Sequence, residues 1–176
     1  RQWRAALLSG GASIFGAGVA TIVSADWFRA VLPFLLIAIA LFFCLKPGLD
    51  DIDKAARISP GLFMITLVPL VGFYDGLFGP GTGSFFMLGF VALAGYGVLK
   101  ATAHTKLLNF ASNVGGFVLF AYAGAIAWKI GLVMGLAQIA GARVGSSLAM
   151  RQGASLIKPL LVVTCMALAL RLLWAG

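Results

Sequence analysis

The chain has 176 residues, of which 61% are hydrophobic and 10% charged, with a mean hydropathy of +1.04. A soluble domain keeps about 25% of its residues charged, so a water-facing surface over most of this chain is excluded and lipid takes its place. The net charge of +8 does not point to nucleic acid: the 13 Lys and Arg lie at the ends of apolar runs, with no basic stripe interleaved with aromatics, as expected of cations that set membrane topology.

A helix needs about 20 apolar residues to cross the hydrocarbon layer. Apolar runs at about 5–25, 27–45, 60–79, 84–99, 107–127, 130–149 and 155–174 predict an all-α, polytopic transmembrane bundle of about seven spans. The first run is too long and too rich in glycine for the core of a cleaved signal, and a second follows at once. The third carries Asp75 and the fourth is short. Between the second and third, KPGLDDIDKAARISP is the long polar stretch and holds Asp50, Asp51 and Asp53. Residues 47–59 therefore read as a linker.

Successive connections placed on alternate sides collect Arg1, Arg4, Lys46, Lys54, Arg57, Lys100, Lys106, Arg143, Arg151 and Lys158 on one side. Arg29, Lys129 and Arg171 fall on the other. The richer side marks the cytoplasm, which makes the linker cytoplasmic and predicts the N-terminus inside and the C-terminus outside. A re-entrant hairpin at the third and fourth runs would leave this parity unchanged.

Trp3-Arg4 laid over Trp128-Lys129 brings Gly10 over Gly135 and Gly16 over Gly141, and each copy continues into a run with an early proline, Pro33 or Pro159. The copies start on opposite sides, the pattern of inverted-topology repeats. Residues 1–46 then form the two-span end of a first repeat, and 60–176 a complete second repeat of five runs. About three spans are expected upstream, in a longer natural protein whose N-terminal half completes the molecule; failing that, a homo-oligomer would.

Residues 72–84, GFYDGLFGPGTGS, break an apolar stretch with glycines and a proline. Irregular backbone at membrane depth survives where it lines a cavity or is buried in protein. The break exposes the N-terminus of the next helix, where Gly81, Thr82, Gly83 and Ser84 present N–H groups, hydroxyls and a partial positive charge to an anion; a tight interhelical turn is the plainer alternative. Asp75 is the acid inside an apolar run, so it either carries a coupling proton or braces the broken helix.

In KATAHTKLLNFASN, residues 100–113, the polar positions Thr102, Thr105, Lys106, Asn109 and Asn113 recur at three- and four-residue intervals and fall on one helix face, with Ser112 at its edge. Lys106 would supply charge to an anion and the asparagines neutral donors. Equally, Lys106 would snorkel and the asparagines tie helices together. Arg143 reads as a snorkelling residue, and the Gly131/Gly135 and Gly141/Gly145 spacings as packing.

Cys44 and Cys165 lie in apolar runs and read as small buried hydrophobes. With His104 the single histidine, no zinc cluster is available, and neither a metal nor a cofactor is expected. No nucleophile–base pair suggests an enzyme.

GFYDGLFGPGTGS followed by ATAHTKLLNFASN resembles the second half of the TauE/SafE family, also called sulfite exporter or TSUP, and the likeness continues to Gly176. Residues 1–46 look like the end of that family's first half, so the chain resembles the C-terminal two thirds of a member. The resemblance implies a multi-pass protein of the bacterial inner membrane that moves sulfite, sulfonates or related small organosulfur anions by alternating access. The alternatives are an anion channel and a non-transporting structural or assembly protein.

Overall fold

The computed structural model describes residues 2–22, 26–45 and 50–175. Eight helical segments occur among them: α1 (Gln2–Ala20), α2 (Asp26–Leu45), α3 (Pro60–Ile65), α4 (Leu67–Leu77), α5 (Thr82–Ala92), α6 (Val98–Tyr122), α7 (Trp128–Gln152) and α8 (Ala154–Ala175). The chain is a helical membrane bundle. Pro60–Leu77, Trp128–Gln152 and Ala154–Trp174 are long and apolar enough to cross a membrane. Lys46 and the sequence-predicted linker's first residues, 47–49, lie outside the described residues, as does Arg1.

Each apolar run holds a helix, but two boundaries move. The fourth run, expected to reach residue 99, is helical only to Ala92. Gly95 takes a positive φ of 73°, which glycine adopts without strain, and α6 begins at Val98, nine residues before the apolar run expected there. Residues 93–97 are apolar in composition and so look like membrane-spanning helix; the turn they form is set by backbone conformation, which hydropathy does not report.

The third run is broken into α3 and α4 at Thr66. Ser59 caps α3 by accepting the Leu62 N–H at 3.2 Å, with Pro60 at the first helical position. Pro69 has no N–H, and its ring disfavours helix four residues back, which places the break at Ile65–Thr66.

At 11 residues, α5 rises only about 16 Å, roughly half the thickness of a hydrocarbon core. It therefore turns back inside the bundle. Gly79 and Gly81, both at φ 82°, make the turn between α4 and α5. The two ends of this hairpin meet again in the linker: Arg57 N–H donates to Leu93 O at 2.8 Å and Lys54 N–H to Gly95 O at 2.7 Å. Val98 N–H donates to Asp50 O at 3.0 Å. One end of the bundle thus gathers the linker and the starts of α3, α6 and α8.

Small residues let α1 lie between α4 and α6. A Cβ on Gly72 would stand 2.6 Å from Ser9 O, one on Gly76 would strike Ser13 O, and one on Gly16 would strike Phe73 O. On the α6 side, Gly10 faces Ala111 O and Gly115 faces Gly10 O, and Ser9 Oγ donates to Leu108 O at 3.1 Å. Such close approach is how helices associate where lipid removes the hydrophobic drive between them. Helix α2 packs on α8 and touches α5, with Leu36, Ile39 and Phe43 in the buried cluster. The segments before and after the linker therefore interleave.

Helix α7 is different. It packs mainly on α8, and Ala149 is its buried residue. Added Cβ atoms on Gly135, Gly141 or Gly145 would meet nothing within 4 Å, whereas Gly10 and Gly16, which align with Gly135 and Gly141, are closely packed.

Candidate functional site

Asp75 lies in the last turn of α4 and Thr82 opens α5. The αL glycines between them fold the chain so that Thr82 Oγ1 donates to Asp75 Oδ1 at 2.6 Å. From α6, Ser112 Oγ donates to Asp75 Oδ2. Each carboxylate oxygen is thus met by a hydroxyl from a different helix. Val98 to Ser112 is a rise of about 21 Å, so this cluster sits more than half-way along α6. Tyr74 OH, beside it, donates to Pro80 O and braces the turn.

Beside the carboxylate opens a cavity of about 520 Å³ between α1, α4, α6 and α7. Its polar lining comes from Ser13, Asp75, Ser112, Asn113 and Gln138, and Phe110, Phe117 and Phe120 make much of its apolar wall. Ser13 Oγ is buried, at 1% exposure for the residue, and has no hydrogen-bond partner among the described residues. A buried hydroxyl left unpaired costs about 1–3 kcal/mol. Thr105 Oγ1 is likewise buried without a partner.

The sequence-predicted binding residues divide. Thr82 joins the Asp75 cluster, and Asn113 lines the cavity. Gly83 lies beside Asn109, whose Nδ2 would stand 3.9 Å from an added Cβ, and Asn109 Oδ1 accepts Asn113 Nδ2 at 3.3 Å. Gly81 forms the turn against Leu36 and Phe85. Ser84 points instead to α8, 3.1 Å from Cys165 Sγ, and Lys106 donates to Ser146 Oγ on α7 at 2.6 Å. Thr102 donates within its own helix to Val98 O at 2.8 Å. Arg143 is exposed on α7. Cys165 is buried as expected, but Cys44 is exposed, because it falls on the outer face of α2.

Sequence reading missed Ser13 and Gln138. The available signals were a serine pair at i and i+4 in a glycine-rich span, Ser9 and Ser13, and an amide isolated in an apolar helix. The three linker acids were read as a polar stretch, yet two cap helices. Asp51 accepts Leu99 N–H at 2.9 Å, and Asp53 accepts Gly97 N–H at 2.8 Å and pairs with Lys100.

The α4–α5 hairpin and the polar cavity beside it give this helical membrane protein an internal candidate site. The family model for sulfite exporter TauE/SafE matches residues 1–172, and the chain belongs to that family. It is 64% identical over 168 residues to "Probable membrane transporter protein ORF9" of Sinorhizobium sp., covering 96% of this chain and 64% of the relative. With "Probable membrane transporter protein YfcA" of Escherichia coli K12 it shares 44% identity over 162 residues, 92% of this chain and 60% of that one. A "Probable membrane transporter protein" of Haemophilus influenzae is 46% identical over 136 residues, 77% of this chain and 53% of the relative. The chain thus spans less than two thirds of the length of these relatives. No solved structure matches it.

Proposed function

We propose that this chain forms most of a transporter of small anions in a bacterial inner membrane, acting by alternating access on sulfite, sulfonates or related organosulfur compounds. The observation that carries the reading is the cavity beside Asp75, with the unpartnered Ser13 hydroxyl in its wall. Its size of about 520 Å³ is within the ordinary range for small-molecule sites. Ser13, Asn113 and Gln138 offer neutral donors to an oxyanion. The N-terminus of α5, whose Thr82 bonds Asp75, adds partial positive charge beside the carboxylate. Lys106 is the nearby cation of α6, held against α7 by Ser146, and serves to draw anions toward the gap between those helices.

The test is flux of labelled sulfite and methanesulfonate into proteoliposomes holding the full-length gene product, with counterflow. Asn113→Ala and Gln138→Ala each remove a donor to a charged ligand, worth about 1.5–3 kcal/mol, and should weaken transport about ten- to a hundredfold. Lys106→Gln should slow entry. Arg143→Gln should transport normally. Flux without counterflow would make the protein a channel, and absence of flux would leave the structural reading.

A further inference from the structure

Asp75 is the titratable side chain among the residues that line the cavity, and the hydrogens around it do not add up for a single arrangement. Thr82 Oγ1 lies 2.6 Å from Asp75 Oδ1 and also 2.7 Å from Gly79 O. Ser112 Oγ bonds Asp75 Oδ2 and also lies 3.1 Å from Asn109 O. A hydroxyl has one hydrogen, so two hydrogens face four acceptor oxygens. With both turned to Asp75, the carboxylate is satisfied as an anion. With one turned to its own-turn carbonyl, that hydroxyl offers a lone pair to Asp75, which a proton on the carboxyl fills. Rotation of either hydroxyl, with no backbone movement, therefore accommodates both charge states.

An anion in the cavity meets this carboxylate with no cation in the lining to separate them. Resting on the anion-transport reading above, we propose that Asp75 takes one proton from water whenever an anion occupies the cavity and returns it on the other side. The protein is then an electroneutral proton–monoanion symporter. The balance is simple: as the anion binds, an O–H bond of a hydronium ion breaks, one forms at a carboxylate oxygen and water is left; on release the carboxyl O–H breaks and a water molecule takes the proton as hydronium.

Among the described residues of the elements packed on α4, no other titratable group faces Asp75; its titratable neighbour is Tyr74 on α4 itself. Neither α3 nor α5 contains one. On α1, Arg4 is exposed and lines a separate pocket that it shares with His104 of α6. Elsewhere on α6, Lys100 pairs with Asp53, Lys106 bonds Ser146 and Tyr122 is exposed. Within α4 itself, Tyr74 OH is directed to Pro80 O, and α7 contributes the neutral Gln138.

The experiment uses the full-length gene product in proteoliposomes with methanesulfonate, which stays an anion throughout, so that only the protein titrates. An outside-acid gradient of one pH unit should drive accumulation approaching about tenfold, unaffected by an imposed membrane potential. Asp75→Asn, fixed neutral, should lose gradient-driven accumulation, and its counterflow, whatever its rate, should show a flat pH profile. Infrared difference spectra of the wild type should show a protonated-carboxyl band on adding methanesulfonate, a reading that needs no variant to fold; its absence would overturn the proposal. Counterflow that ignores the pH gradient in the wild type, or an Asp75→Asn protein that still accumulates, would overturn it while leaving anion transport standing. Absence of all flux would overturn the transport reading and this one with it.

Discussion

The carboxylate of Asp51 accepts the backbone N–H of Ala154 at 3.2 Å, across 103 residues of chain. Its other oxygen accepts the N–H of Leu99 at 2.9 Å. Leu99 lies in the first turn of α6 and Ala154 opens α8, so one side chain caps two helices and ties them to the linker. Removing an N-cap acceptor costs about 0.5–2 kcal/mol. Asp51→Ala should therefore destabilise by about 1–3 kcal/mol, and Asp51→Asn by less, in thermal unfolding in detergent. An unchanged midpoint for Asp51→Ala would remove the double cap.

Asp53 gives the pH dependence. The Gly97 N–H beside it, and then the Lys100 ammonium, hold its carboxyl below the ordinary value of 3.8. A carboxyl lowered in the folded state contributes stability that is present above the ordinary value and lost as pH falls through the folded one. Asp53→Asn should thus be less stable than wild type at pH 6. The gap should close below pH 3.8. A gap that persists or widens in acid would contradict this assignment.

The packing of α1 makes a paired glycine test. Gly76→Ala drives a Cβ into Ser13 O, and overpacking of this kind costs about 1–3 kcal/mol. Gly11 has open space around it, so Gly11→Ala should be tolerated. Gly141 is equally open in this chain, yet it aligns with the tightly held Gly16. If the inverted repeat extends upstream, α7 lies against preceding spans as α1 lies against α4 and α6. In the full-length protein Gly141→Ala should then resemble Gly76→Ala. Stability like that of Gly11→Ala would count against the repeat.

Orientation is checked by reporter fusions. A fusion within residues 50–59 should report the cytoplasm and one after Gly176 the opposite side. Both on one side would defeat the topology and the repeat together.

The spans were legible because apolar length is a property of composition. The break at 72–84 was legible because Pro80 lacks a helical N–H and Gly79 and Gly81 beside it favour a turn. The depth of that break was not, since Leu93–Val98 is apolar enough to pass for membrane-spanning helix. Asn113, singled out by its periodicity, does line the cavity. Lys106 lies on the same stripe, but its long side chain reaches Ser146 on α7, a partner that spacing along one helix does not reveal. Ser13 escaped notice because a serine among glycines reads as packing, and its missing partner exists only in three dimensions.

The half-length of α5 bears on how the protein is made. A segment of 11 residues cannot be handed to lipid as a span in its own right. Its turn also carries backbone polar groups that lipid would leave bare. Ser112, which bonds Asp75 beside that turn, leaves the ribosome after the hairpin does. Residues 60–92 must therefore wait, shielded by the insertion machinery or by α1, until α6 has emerged. Synthesis stalled between residues 92 and 112 should accordingly leave a hairpin open to protease or chaperone, which closes once α6 is complete.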